Sequence, residues 1–189
     1  MPLIRDYLDD VKRLLDALDA GQLESLIEHL ERRWRDGKRV MLVGNGGSAS
    51  SASHIVNDLQ KCVFLETGKA LKAMCLADCQ PLVLAWANDE GYENVFAPQV
   101  ECWGEPGDLL IAISGSGNSP NVLKSVEKAR ERGVFTFGLS GFAGGKLAQM
   151  ADVTIVVPSD SMQRIEDVHL IILHLAFVGL LDRLRTAGA

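Results

Sequence analysis

The sequence predicts an α/β protein: a parallel sheet between two helical layers, a three-layer α/β/α arrangement, with a helical extension at its N-terminus. Three observations carry this. The short run 109–113 (LLIAI) is apolar throughout, and 39–43 (RVMLV) is apolar after its first residue, as expected of strands covered on both faces. Segments with helical spacing separate one such run from the next. Two strand-to-helix junctions, at 43–50 and 113–120, are rich in glycine, serine and asparagine. They stand where ligands of parallel sheets bind, beyond the carboxyl ends of the strands.

The elements follow in order. Residues 3–19 and 21–36 read as amphipathic helices, with Leu3, Ile4, Leu8, Val11, Leu14, Leu15 and Leu18 at helical spacing in the first. A long helix ahead of an α/β core needs an apolar partner surface, a role open to another subunit. Strands are expected at 39–43, 73–76, 109–113, 134–139 and 153–157. Helices are expected at 48–61, 81–87, 95–103, 120–132, 146–150 and 162–184, with Pro120 at a first-turn position. No repeat, low-complexity tract or linker interrupts the pattern. The expectation is one domain over residues 1–189, with helices in 1–36 and the α/β core in 37–189.

Composition narrows the function classes. Hydrophobic residues are 47% and charged ones 23%, and the net charge is -6. No basic excess exists to neutralise nucleic-acid phosphates or a membrane surface, so neither partner is expected. A small anion remains possible, because a few backbone N–H groups bind one locally. The opening MPLIRDYLDD has no apolar signal-peptide core, and the apolar stretch 170–181 is broken by His174 and too short to span a bilayer. Cys62, Cys75, Cys79 and Cys102 form no C-x-x-C pair, which fits reduced thiols in a cytoplasmic protein.

The first junction reads Val43-Gly44-Asn45-Gly46-Gly47-Ser48-Ala49-Ser50. Its glycines permit a tight turn and close ligand approach, and the helix that follows points free N–H groups at whatever sits there. The plainer reading is a turn with Ser48 as the helix cap. The second junction, Ile113-Ser114-Gly115-Ser116-Gly117-Asn118-Ser119-Pro120, offers three hydroxyls and bare amides but no lysine. It is not a Walker loop, and the first junction has no third glycine for a dinucleotide fingerprint. Hydroxyls and amides without lysine or metal ligands suit a phosphate that is held rather than transferred.

These two loops closely resemble the signature loops of the sugar-isomerase (SIS) domains, and of the phosphoheptose isomerases in particular. Further matches are Asn88-Asp89 with Gly91, Gly144-Gly145-Lys146 with Ala151-Asp152, and 164–169 (RIEDVH) in the last helix. The likeness runs over about residues 3–184. It implies the SIS fold and aldose–ketose isomerisation of a phosphosugar through an enediol, with sedoheptulose 7-phosphate or a similar long-chain ketose phosphate as substrate. It implies Asn45, Gly46, Ser48, Asp89, Ser114, Gly115, Ser116, Ser119, Gln163 and Glu166 as substrate-binding residues, and Asp58 with His174 as the acid/base pair.

His54 and Asp58 stand at i and i+4 on one helix face, which suits either a surface hydrogen bond or two metal ligands. The resemblance implies a divalent metal, with zinc favoured by mixed nitrogen and oxygen donors, at His54, Asp58, Glu166 and His174. Glu166 and His174 are eight residues apart, so within one regular helix their Cα atoms are roughly 12 Å apart. Bonds to zinc are only about 2 Å long. Unless Glu166 precedes the regular helix, one of the two is then expected from a neighbouring subunit, in line with the homotetramer with shared sites that the resemblance implies. His169 is a fallback ligand or a histidine on the helix face.

Three departures from the family pattern bear on the substrate. Asp58 stands where the isomerases have glutamate, Glu166 where they have glutamine, and Gln163 where they commonly have aspartate. A non-catalytic phosphosugar-binding or replication-initiator-associating SIS protein is the competing expectation. Retention of His54, a carboxylate at 58 and His174 favours the enzyme.

Overall fold

The computed structural model describes residues 2–187. Residues 1, 188 and 189 of the expected single domain lie outside the described residues. Two helices open the chain, α1 (Pro2–Asp16) and α2 (Ala20–Asp36). Asp19 separates them and caps α2 by accepting from the Gly21 and Gln22 N–H groups at 2.7 and 3.3 Å. Gly37 ends α2 in the left-handed conformation, and the Lys38 N–H closes back on the Arg33 carbonyl at 2.9 Å.

Five strands follow: β1 (Arg39–Val43), β2 (Lys72–Cys75), β3 (Leu109–Ser114), β4 (Phe135–Gly141) and β5 (Val153–Val157). All pairings are parallel, and the spatial order is β2-β1-β3-β4-β5. Between them lie α3 (Gly47–Asn57), α4 (Val63–Thr67), α5 (Gln80–Glu90), α6 (Ala97–Trp103), α7 (Pro120–Glu131) and α8 (Leu147–Met150). The long α9 (Met162–Ala187) closes the chain.

The strands are mostly apolar because both faces are covered. Val40, Leu42, Leu109, Ile111, Ile113, Phe137 and Leu139 point into the larger core, beneath α1, α2, α3 and α9. Their neighbours Met41, Val43, Leu110 and Ala112 point the other way, against α6, α7 and α8. Period-two alternation therefore persists, but it sorts residues between two cores rather than between core and water.

The helix expected over 48–61 is longer and contains a defect. After α3 the backbone makes a π turn at Asp58–Cys62 and continues as α4. In α1 the apolar stripe divides. Leu14 is buried, with Val11, Leu15 and, just past the helix end, Leu18 packed on the same core, whereas Leu3, Ile4 and Leu8 are exposed. The start of α1 is tied to α9 by polar contacts, Tyr7 Oη donating to Asp167 at 2.5 Å and Arg164 pairing with Asp10 at 2.9 Å.

Candidate functional site

The strand order places the site. From β1 the chain goes one way to β2, then returns to lay β3 on the opposite side of β1. The connections diverge between β1 and β3, so a crevice opens at their carboxyl ends. The two Gly/Ser-rich junctions leave those two strands, which pair as far as Val43 against Ala112, β3 running on to Ser114.

The junctions form one cavity of about 260 Å³, lined by Asn45, Gly46, Gly47, Ser48, Ile113, Ser114, Gly115, Ser116, Ser119, Met162 and Glu166. Eight of the ten expected substrate residues are among them: Asn45, Gly46, Ser48, Ser114, Gly115, Ser116, Ser119 and Glu166. Gly46 caps α3 at φ 52°, a region that disfavours residues with a side chain, and it supplies no side-chain cap. Ser48, weighed above as a cap, lies inside the helix and is buried.

At α7 the N-cap is Ser119, yet its hydroxyl makes no capping bond. It pairs instead with Ser114 Oγ at 3.0 Å. Neither α3 nor α7 thus has a side-chain bond from its N-cap residue, Asn121 Oδ1 on the Val122 N–H being the side-chain bond in the first turn of α7, and their positive ends face the cavity together. Ser116 Oγ accepts from the Asn118 N–H at 3.2 Å, which shapes the second turn. The Gly144-Gly145-Lys146 segment braces that turn from behind: Leu147 N–H donates to the Gly117 carbonyl at 2.9 Å and Lys146 N–H to Asn118 Oδ1 at 3.1 Å.

A second set of groups sits farther along α3. His54 and His174 meet Nε2 to Nε2 at 2.9 Å, so one of these nitrogens carries a proton and the other accepts it. Asp58 Oδ2 is 3.8 Å from His174 Nε2. Among the described residues these three form a group whose donor atoms all lie within 4.8 Å of one another. Two imidazoles and a carboxylate so close together fit a divalent metal, and mixed nitrogen and oxygen donors suit zinc. Cys62, across the π turn, donates to the other Asp58 oxygen at 3.8 Å.

Glu166 is placed differently from the expected four-residue set. It and His174 both lie in α9, and Glu166 turns its carboxylate onto Gly47 at the start of α3. A Cβ on Gly47 would collide with that carboxylate, so glycine is what lets the two elements meet. In one chain Glu166 is therefore a wall of the cavity, and His54, Asp58 and His174 gather without it.

Two expected substrate residues lie outside the cavity. Asp89, near the end of α5, accepts from Asn88 Nδ2 at 2.7 Å and borders a separate surface depression with Ala85, Trp86 and Glu90. None of the residues of α5 is buried. Gln163, in the first turn of α9, is exposed, and its neighbour Met162 points into the cavity in its stead. His169 is no ligand in this chain. It is buried, its Nε2 donates to the Ser140 carbonyl at 3.0 Å, and its Nδ1 has no partner. Burial pushes its pKa down to about 4, opposed in part by the bond to Ser140.

Sequence reasoning missed Met162, Asn121 and Tyr92. Asn121 and Tyr92 both bond to Asn45, at 2.8 to 2.9 Å. For Asn121 a signal existed: a polar residue directly after the serine-proline start of a helix has a backbone or loop partner to find. Tyr92 gave none, since its partner is remote in sequence.

Comparison with known proteins bears on this geometry. The SIS domain family matches residues 6–141. The phosphoheptose isomerase of Helicobacter pylori (strain Shi470) is 47% identical over 171 residues, covering 90% of this chain and 86% of the relative. The chain belongs to the phosphoheptose isomerase family. Solved structures of family members agree: the enzyme of Neisseria gonorrhoeae superposes with a TM-score of 0.86 at 30% identity, over 95% of this chain and 96% of the other. That of Francisella tularensis gives 0.88 at 27% identity, over 95% and 94%. As a member of the phosphoheptose isomerase family the chain is an enzyme of the isomerase class, and its cavity and histidine cluster are to be read in that light.

Proposed function

We propose that the protein interconverts sedoheptulose 7-phosphate and its aldose isomer by moving a proton between C1 and C2. What carries the reading is one helix, α3, that joins a hydroxyl- and amide-lined cavity at its N-terminus to the His54–Asp58–His174 group lower down. From Ser48 to His54 the helix axis advances about 9 Å, a separation suited to a long-chain sugar with phosphate at one end and the reacting carbons at the other.

In this reading Ser48, Ser114, Ser116 and Ser119 and the free N–H groups of α3 and α7 hold the phosphate, and Asn45, Gly46 and Gly115 line its seat. Gripping the unreactive end positions the reacting end. Asp58 takes the proton from one carbon, and His174, 3.8 Å from it, serves the oxygens as acid. Both act from rigid helices, so their separation is held. His54, Asp58 and His174 would hold a divalent ion, zinc by donor chemistry. When bound, it supplies Lewis-acid stabilisation of charge that develops on the substrate oxygens.

Exposed Leu175 and Val178 flank His174 on α9, and Leu3, Ile4 and Leu8 are bare on α1. These surfaces support a homotetramer in which a neighbouring subunit completes each site, the route by which Asp89, Gln163 or a second Glu166 would reach a substrate. Among the described residues no helix is long and apolar enough to cross a membrane, which accords with a cytoplasmic role in carbohydrate metabolism.

The test is an isomerase assay with sedoheptulose 7-phosphate, with and without zinc, on wild type and His174→Ala. Turnover by wild type that the substitution abolishes is the expected result. A wild type that binds the sugar phosphate saturably and converts none of it overturns this substrate.

A further inference from the structure

Asn45 is the one cavity residue whose side chain is an amide, and an amide has two faces. Which face it shows a ligand is decided outside the cavity. Asn121, buried at the start of α7, accepts from the Val122 N–H on its Oδ1 at 3.0 Å. A backbone N–H can only donate, so this bond settles which end of Asn121 is oxygen. Asn45 Nδ2 donates to the same oxygen at 2.9 Å, and Asn121 Nδ2 donates back to Asn45 Oδ1 at 2.8 Å. The orientation of Asn45 follows. Tyr92 Oη, at 2.9 Å from Asn45 Oδ1, must then be the donor of its bond.

The count of hydrogen-bonding capacity is now closed. Both lone-pair directions of Asn45 Oδ1 are taken, by Asn121 and by Tyr92. One of its two N–H groups is taken by Asn121. Among the described residues the second N–H meets no partner. We propose that Asn121 and Tyr92 are positioning residues of this isomerase, which lock Asn45 so that it offers the cavity a single donor and no acceptor. Such a residue recognises an oxygen without a proton to give, a phosphate oxygen or a sugar oxygen that accepts. Its partners lie on separate elements: Asn121 ties the β1 junction to α7, and Tyr92 ties it to the short 3-10 turn Tyr92–Asn94 that follows α5. That turn is held to α7 by Lys124, which bonds Asn94 Oδ1 at 2.9 Å.

The role assumes the proposed substrate, and its test separates the two. Tyr92 is exposed, so Tyr92→Phe removes one donor without opening the core. Asn121→Ala removes the other and carries some risk to folding. Both are made in wild type and in an Asn45→Ala background, and KM, kcat and calorimetric Kd for sedoheptulose 7-phosphate are measured alongside melting temperature. Tyr92→Phe is expected to raise Kd and KM about threefold to tenfold at unchanged kcat and melting temperature. In the Asn45→Ala background neither substitution should add anything, because both act through the residue already removed. An unchanged Kd in Tyr92→Phe, or full additivity over Asn45→Ala, overturns the proposal. Should wild type neither bind nor convert the sugar, the proposed substrate is wrong and the ligand-free readout decides. In 15N-labelled protein the Asn45 Nδ2 proton bonded to Asn121 is expected to exchange with water slowly, and at least about tenfold faster in Tyr92→Phe once Asn45 is no longer held from both sides, while the free proton exchanges fast in both. Equal rates in the two proteins overturn the lock.

Discussion

The cavity and the histidine cluster are built in different ways. The cavity is made of backbone. Two turns at adjacent strand ends bring bare N–H groups, hydroxyls and glycines together, and Ser48 and Ser114 are almost wholly buried there. The cluster is made of side chains on the outer faces of two helices, with His54 exposed and Asp58 and His174 half-buried. The first is lined by residues of one chain, whereas the second lies beside bare apolar residues and lacks Glu166. A rigid anchor and an open reaction end are what an enzyme needs if it holds one end of a long substrate and works on the other.

The sharpest way to break this comparison is to disable one end alone. His174→Ala should cut kcat about 10² to 10⁴-fold while leaving calorimetric phosphate binding within about twofold, since general acid–base groups contribute on that scale. An equal loss of both would mean that the ends are not separable. Next in size is Val178→Asp. Val178 is one turn on from His174 and exposed on the same helix face. If a neighbouring subunit covers that face, sedimentation should show smaller particles and turnover should fall at least about tenfold. A monomer with full activity would place the whole reaction end in one chain.

Gly47→Ala tests the joint between the regions. The added Cβ meets the Glu166 carboxylate, which must swing away. A displacement of about 1 Å at a positioning contact costs up to about 100-fold in rate. We expect about tenfold or more in kcat/KM, with the uptake of added zinc unchanged. Loss of zinc uptake as well would mean that Glu166 contributes to holding such an ion.

The last contrast, read in stability rather than rate, is between two histidines of one helix. His174 faces the reaction end, whereas His169, buried, has a pKa lowered to about 4 against about 6.5 in an unfolded chain. Between those values the unfolded state binds the extra proton, so stability rises with pH across the window. The contribution is full above about pH 6.5 and lost as pH falls towards 4, by about 3 kcal/mol in all. Melting temperature should drop steadily from pH 7 to 5, and His169→Leu should flatten that slope. An unaltered slope would remove His169 from the account.

The layered fold was legible because short apolar runs, such as 40–43 and 109–113, alternate with helical segments. The cavity residues at 44–48 and 114–119 were legible because their glycines and serines are contiguous at strand ends. The π turn at Asp58–Cys62 was not, since an extra residue in a helical turn leaves no mark on apolar spacing. Nor was the seat of Glu166: its eight-residue distance from His174 told only that the two could not share an ion from one helix.

The sequence by itself determined the alternation of strands and helices, the two turns, and the i, i+4 pairing of His54 with Asp58. These depend on neighbours in the chain, through backbone geometry and side-chain periodicity. The tertiary structure alone decided which turns meet, through the reversal of strand order between β1 and β3. It alone set His174 against His54 across 120 residues, turned Glu166 onto Gly47, and locked Asn45 between Asn121 and Tyr92. Such contacts arise from the docking of whole helices on the sheet, and local spacing holds no record of where a distant helix will lie.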